Sequence, residues 1–504
     1  MIDIRENEQL SMLNHSCAHM MAQAVKRLYP QAKFWVGPVI SDGFYYDIDL
    51  GDDVIKDEDL PKIEKEMKKI AKDGKRIVRK EISKEEALEM FADDPYKIDL
   101  IQDLEDGTIT CYQQGEFIDL CRGPHVETVK LLKNFKLLKH SGAYWKGDAE
   151  NKMLQRIYGV CYPTKEELEE HLHMLEEAKK RDHKKLGREM GLFMMSEYAP
   201  GMPFFLPNGM IIRNLLENFW YEEHTKENYK FIKTPIMMSK ELWEVSGHWE
   251  NYKENMYTTM VDDRAFAIKP MNCPGAMLVY NSGLHSYKDL PLRVGELGQV
   301  HRHEASGALN GLFRVRTFTQ DDAHLFMRPD QVEDEVKRLI RFIDRMYSIF
   351  GLTYDIELST RPEDFMGEIA VWDQCEKALG DACHAAGKEF RINAGDGAFY
   401  GPKLDFHIKD SLGRVWQCGT IQMDMNLPER FDCTYVDSEG KKVRPVMLHR
   451  VIYGSIERFI GILIEHYGGH FPLWLAPKQV EIIPVLAEKH GVYAQEVCER
   501  VRAA

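Results

Sequence analysis

Arginines set along a strand beside an aromatic ring can grip phosphates and stack on a base, and the stretch from Leu292 to Phe326 concentrates such residues. Two strand-like runs, LRVGELGQVHRHE and FRVRTFTQDDAHLF, flank a turn-rich insert, ASGALNG, which predicts a long antiparallel hairpin. Because strand side chains alternate faces, Arg302 and Glu304 share one face, and Arg314, Arg316, Phe318, Gln320, Asp322 and His324 share one face of the return run. The competing reading is a solvated sheet face. Phe318 amid polar residues, and an opposite face (Val315, Thr317, Thr319, Ala323, Leu325) that is apolar apart from Asp321, weigh against it. A second set lies near the N-terminus. His15 and His19 stand four apart, as do Cys121 and His125, a spacing that suits a tetrahedral zinc set.

These side chains need elements to hold them. From Leu10 to Leu28, Leu13, Met20, Met21, Ala24 and Leu28 recur at helical spacing, so His15 and His19 fall one turn apart. Between Cys121 and His125 a Gly-Pro makes a plain helix unsuitable. GFYYDI reads as a strand, Leu60 to about Lys72 as an acidic helix, and Ser83 with Glu86 as a capping box, the body of an α+β domain. A second capping box, Thr164 with Glu167, starts a charged helix running to about Leu186. A further helix spans about Met210 to Asn228, with Ile211, Leu215, Phe219 and Trp220 as its apolar stripe, and Pro235 marks an interrupted edge. RINAGDGAFYGPKLDFHIKD has the turn signals of a glycine-rich hairpin, in which Lys403 could simply pair with Asp405, and Arg458 on the last apolar helix could simply pair with Glu457.

At 504 residues the chain suits three or four domains. Ten scattered cysteines point to a reduced, cytoplasmic protein, and no signal-peptide core or long uncharged apolar run points to a membrane. A formal net charge of -15 argues mildly against nucleic acid, although basic runs near residues 68 to 80 and 179 to 188 could be RNA contacts or solvated faces.

HRHE, the loop after it and FRVRTFTQDDAHLF resemble the second signature motif of class II aminoacyl-tRNA synthetases, and FTQDDAHLF is similar to the threonyl-tRNA synthetases in particular. FIKTPI with Pro235, IKPMNCPGAM, and LHRVIYGSIERFIG with Arg458 stand in the family's order, and the resemblance runs from about His15 to the end. It implies an α+β multidomain fold: a class II antiparallel sheet flanked by helices, preceded by an α+β editing domain. The expected boundaries are 1–160 for the editing domain, 161–192 for a helical linker, 193–472 for the catalytic domain and 473–504 for the opening strand and helix of a truncated anticodon-binding domain. So short a piece cannot build a packed layer, so it is expected to dock poorly, with adenylate made and tRNA charged weakly.

The resemblance also assigns roles. Arg302, Arg458, Gln320 and Lys403 are the catalytic set; Arg302, Glu304, Arg314, Phe318, Gln417 and Arg458 bind ATP with its Mg²⁺; Asp322, Gln320, Tyr400, Gln422 and Ser455 bind threonine. Cys273, His324 and His449, which no spacing rule selects, would hold one zinc ion per subunit. His15, His19, Cys121 and His125, with Asp119 and Lys97 as neighbours, would hydrolyse serine wrongly attached to tRNA(Thr). Metal-free chemistry is favoured there, since four protein ligands would close zinc's coordination. ATP, threonine, tRNA(Thr) and a second copy of the chain are the implied partners. Two rival functions are a stand-alone hydrolase of misacylated tRNA and a non-catalytic RNA-binding regulator. The intact Arg302, Arg458 and Cys273 argue against the first.

Overall fold

The computed structural model describes residues 3–107, 109–148, 150–424 and 426–503. The chain divides into two units between Glu176 and Glu177.

In the first unit the long helix α1 (Glu8–Leu28) is capped by Asn7, whose side chain accepts from the Leu10 amide. Its buried face, including Cys17, Met20, Met21 and Val25, packs with strand β1 (Gly43–Asp49) and helix α2 (Leu60–Asp73) around one apolar core. The Ser83–Glu86 capping box forms as expected. A small sheet sets β2 (Ile77–Glu81), β3 (Thr110–Gln114) and β4 (Phe117–Leu120) side by side, with helix α3 (Pro95–Gln102) between the first two in sequence. Strands β5 (Asn134–Tyr144) and β6 (Met153–Tyr162) complete the larger sheet, β6 pairing with β1.

The charged helix after the Thr164–Glu167 box is two helices, not one running to Leu186. α4 (Lys165–Lys180) ends, and α5 (His183–Glu189) restarts with Asp182 as its cap, accepting from the Lys184 and Lys185 amides. An acceptor side chain that satisfies free amides favours a new start over continuation.

The second unit is built on an eight-stranded sheet. Helix α6 (Pro207–Lys226) begins at a proline three residues before the expected Met210. Its buried positions are Ile212, Leu216 and Trp220, whereas Ile211 is exposed and Leu215 and Phe219 are only partly buried, so the stripe is rotated from the expected one. In order across the sheet lie β7 (Lys230–Phe231), β8 (Leu292–His301), β9 (Thr317–Met327), β14 (Val446–Val451), β13 (Val415–Asp424), β12 (Lys403–Lys409), β10 (Thr353–Ser359) and β11 (Arg391–Asn393). Only the outermost pairs are parallel. Helices α8 (Val332–Ile349), α9 (Ile369–Ala385) and α10 (Ile456–Tyr467) pack with the sheet in the main core, while α7 (Cys273–Asn281) joins a second cluster with Phe326 and Met447. The hairpin from 292 to 327 is present, but its strands stop at His301 and resume at Thr317, so Arg302, Glu304, Arg314 and Arg316 belong to the loop rather than to the strand faces. No strand is assigned over 476–486, where one was expected; without a neighbour, extended backbone has nowhere to place its hydrogen bonds. Helix α11 (Ala487–Ala503) buries no side chain. No helix among the described residues is long and apolar enough to cross a membrane.

Candidate active site

Register assembles the main site. His324 of β9 lies opposite His449 of β14, His449 opposite Gln422 of β13, and Gln422 opposite Lys403 of β12, so four site residues form one row across four strands. Cys273 reaches the end of that row from the first turn of α7. Donor atoms of Cys273, His324 and His449 lie within 4.8 Å of one another, and all three residues are buried. Nε2 of His324 is a buried nitrogen without a hydrogen-bond partner, and Nε2 of His449 lies 2.8 Å from an oxygen of Asp424, which leaves Nδ1 as the ring atom that could bind a metal. Burial alone would push the Cys273 thiol up, but the neighbouring His449 and His324 rings bring it down to about 7. One thiol and two imidazoles so arranged fit a soft, tetrahedral divalent ion with one position left open.

Beside this triad are two adjoining cavities. The first, about 190 Å³, is lined by Cys273, Asp322, Tyr400, Gln422 and His449 among others; the second, about 420 Å³, by Glu304, Arg314, Phe318, Gln417, Ser455 and Arg458. Arg302 and Gln320 line both, so the two are lobes of one site. The Arg302 guanidinium sits 5.2 Å from the Phe318 ring centre and donates to the Pro270 carbonyl at 3.1 Å. Glu304 and Arg314 form an ion pair at 2.9 Å, and Arg458 donates to the backbone of Phe313 and Gln417. In the smaller lobe Tyr400 donates to Gln422 at 3.0 Å, and Asn272 donates to Asp322 at 3.1 Å. Gly298 permits the latter: a Cβ there would stand 2.2 Å from the Asn272 amide oxygen.

Two expected residues sit differently. Ser455, assigned to threonine, lines the larger lobe and caps α10 by accepting from the Arg458 amide. Lys403 lines neither lobe and pairs with Asp405 and Asp396. A larger cleft of about 630 Å³, lined by Asp344, Tyr354 and Lys388 among others, lies elsewhere on this unit and gathers neither the triad nor Arg302, Arg314 or Arg458.

Two buried acids hold these in place, and sequence reasoning reached only the Lys403 pairing of one of them, Asp405. Asp321, fully buried, accepts from the Ile452, Tyr453 and Gly454 amides at 2.9 to 3.0 Å, nesting the turn that presents Ser455 and Arg458. Gly454 makes the turn possible with φ +79°. Asp405 accepts from Ser359, Gln417, Thr420 and Lys403 and so joins four strand positions. A lone acid on an apolar strand face was the available signal for Asp321. Asp405 had none beyond its neighbour Lys403.

In the first unit α1 brings His15 and His19 against Cys121 and His125, whose donor atoms also lie within 4.8 Å of one another. Cys121 Sγ is 3.2 Å from Nε2 of both His15 and His125. Lys97 and Asp119 form a buried ion pair at 2.7 Å, and Tyr46, which was not anticipated, donates to Asp119. Burial holds His15 below its ordinary value and, with the His15 charge adding, His19 well below; burial and its two neighbours do the same to His125. Burial pushes the Cys121 thiol up to about 11, so at neutral pH the cluster offers neutral rings and a protonated thiol.

Residues 257–467 match the family described as tRNA synthetase class II core domain (G, H, P, S and T), and residues 109–158 match the second additional domain of threonyl and alanyl tRNA synthetases. The sheet and its arginine-lined cavity are thus those of a class II aminoacyl-tRNA synthetase. The chain is 56% identical to a threonine–tRNA ligase of Syntrophomonas wolfei over all of its own length and 80% of that protein, and 57% identical to one of Desulfatibacillum aliphaticivorans over all of its length and 79% of that protein. Among solved structures, the RNA binding domain of threonyl-tRNA synthetase from Cryptosporidium parvum superposes with a TM-score of 0.61 at 42% identity, covering 63% of this chain and 81% of that one. This chain belongs to the threonine–tRNA ligase family.

Proposed function

We propose that the two-lobed cavity of the second unit makes threonyl-adenylate and that the His/Cys cluster of the first unit removes serine attached in error. The protein is a threonine–tRNA ligase, joining threonine to tRNA at the expense of ATP and editing the product. The observation that carries the division of roles is the shared boundary of the lobes: Arg302 and Gln320 stand between an arginine-and-ring compartment and a Cys/His triad.

In the larger lobe Phe318 and Glu304 take the adenine of Mg²⁺-ATP, Arg314 and Arg458 take the outer phosphates or stack on the base, and Gln417 closes the nucleotide side. Arg302 holds the α-phosphate while a threonine carboxylate oxygen attacks phosphorus and pyrophosphate leaves. Such a displacement asks mainly for positioning and charge compensation. Asp322 and Gln320 face the substrate ammonium, with Tyr400 and Gln422 completing the pocket; Ser455 orders Arg458 from the helix cap, and Lys403 acts through Asp405. Cys273, His324 and His449 would hold zinc, one ion per subunit, and when bound it supplies a Lewis acid that demands an alcohol beside the amine.

That demand rejects valine, nearly isosteric with threonine, by orders of magnitude, because a site built for a hydroxyl is left unpaired without it. Serine lacks only a methyl, worth about 1 to 3 kcal/mol or roughly 10- to 200-fold. Hydrolysis elsewhere must make up the rest. In the cluster, one neutral imidazole accepts a proton from water and another serves the departing ribose hydroxyl, while the buried Lys97–Asp119 pair orders the floor. A cytoplasmic homodimer completes the reading; exposed Tyr221 and Phe231, with ring centres 4.9 Å apart at the β7 edge, and exposed Ile211 on the helix that carries Tyr221, offer apolar contacts for the second copy.

Pyrophosphate exchange with threonine, serine and valine, combined with metal analysis, tests it. Cys273→Ala should lose both zinc and exchange, and an active variant without zinc would refute the triad assignment. His15→Ala should leave exchange intact and accumulate Ser-tRNA.

A further inference from the structure

We infer that Ser16 is a positioning residue of the hydrolytic cluster, fixing His125 as the tautomer that carries its hydrogen on Nδ1 and turns a bare Nε2 toward Cys121. The inference rests on the reading of that cluster as the editing site. Ser16 lies between the two histidines of α1 and is fully buried. Its Oγ has three polar neighbours: the Met12 carbonyl oxygen at 2.8 Å, Nδ1 of His125 at 3.0 Å and the Val126 amide nitrogen at 3.0 Å.

A count of hydrogens decides the ring. A carbonyl only accepts, an amide only donates, and a hydroxyl has one hydrogen and two lone pairs. Two oxygens 2.8 Å apart with no hydrogen between them would repel, so the Ser16 hydrogen goes to Met12. The Val126 amide fills one lone pair. The other is left to accept from His125, which must therefore be protonated at Nδ1. The same logic holds His15, whose Nδ1 is 3.2 Å from the Pro124 carbonyl. Both bare Nε2 atoms then stand 3.2 Å from Cys121 Sγ, and its single hydrogen can satisfy only one of them. The other is free to take a proton from water. Tyr112 packs edge-on against the His125 ring, with centroids 4.4 Å apart, and opposes a flip.

The test is long-range ¹⁵N–¹H correlation on the full chain labelled at histidine nitrogen, with the His125 signals identified by their loss in His125→Gln. The expected spectrum shows a pyrrole-type Nδ1 and a pyridine-type Nε2. Ser16→Ala should mix the two tautomers and lower kcat for Ser-tRNA hydrolysis about 3- to 10-fold, the size of one hydrogen bond, with KM little changed. A parent spectrum with hydrogen on Nε2 would overturn the inference whatever the variant does, as would a Ser16→Ala chain that keeps the Nδ1–H form and its full rate. Undiminished hydrolysis by His125→Gln would instead defeat the editing assignment and leave the tautomer standing.

Discussion

In the proposed reaction, three donor atoms set the selectivity of the second unit. Chelation should abolish threonine-dependent exchange and added zinc should restore it, which metal-depleted and reconstituted protein would show; exchange that survives complete zinc removal would break the link between triad and substrate. The first unit carries a pH consequence. His15, His19 and His125 are held below the ordinary histidine value by burial. As pH falls through about 6.5 the unfolded chain therefore takes up protons before the folded one does, and stability is lost. Hydrogen exchange in α1, corrected for intrinsic rate, should show less protection at pH 5.5 than at pH 7.5, and His19→Gln should reduce the difference. Much at this scale was readable beforehand: the quartet by spacing, Phe318 and Gln320 by strand alternation, and Arg302, which lies in the loop, by motif alone. Cys273, His324 and His449 were found only by family resemblance, because strand register joins the two histidines, a helix start brings the cysteine, and neither leaves a trace in spacing.

The elements explain what pattern reading missed. Periodicity located α6 but assigned its stripe one position early, since Ile211 and Ile212 are equally apolar and only packing against the sheet chooses between them. The break between α4 and α5 turns on one cap, Asp182. Asp321 illustrates the greater difficulty. Its three amide partners lie some 130 residues downstream, so nothing local announces them. It also lies 3.8 Å from the buried Arg450 guanidinium. Asp321→Ala would strip the turn of its acceptor and leave Arg450 without its counter-charge, a loss of about 3 to 5 kcal/mol. Denaturant unfolding should register that loss; a change under 1 kcal/mol would show that the turn holds itself.

For the whole molecule the expectation is a division of errors. Valine should fail at activation by orders of magnitude, whereas serine should pass at roughly one part in 10 to 200 and be recovered only after transfer. A chain with His15→Ala should therefore release Ser-tRNA but no Val-tRNA, as acylation with labelled amino acids would reveal; equal release of both would place discrimination elsewhere. Ile211→Asp, putting a charge on the exposed apolar surface of α6, should shift a dimer toward monomer in sedimentation velocity. An unchanged sedimentation coefficient would remove that surface from the interface.

The alignment of His324, His449, Gln422 and Lys403 across neighbouring strands has one more implication. Since a slip of one position turns every side chain of a strand to the opposite side, a nascent chain in which β14 zips incorrectly would part His449 from both His324 and Gln422. Misassembly should then yield inert molecules, not careless ones.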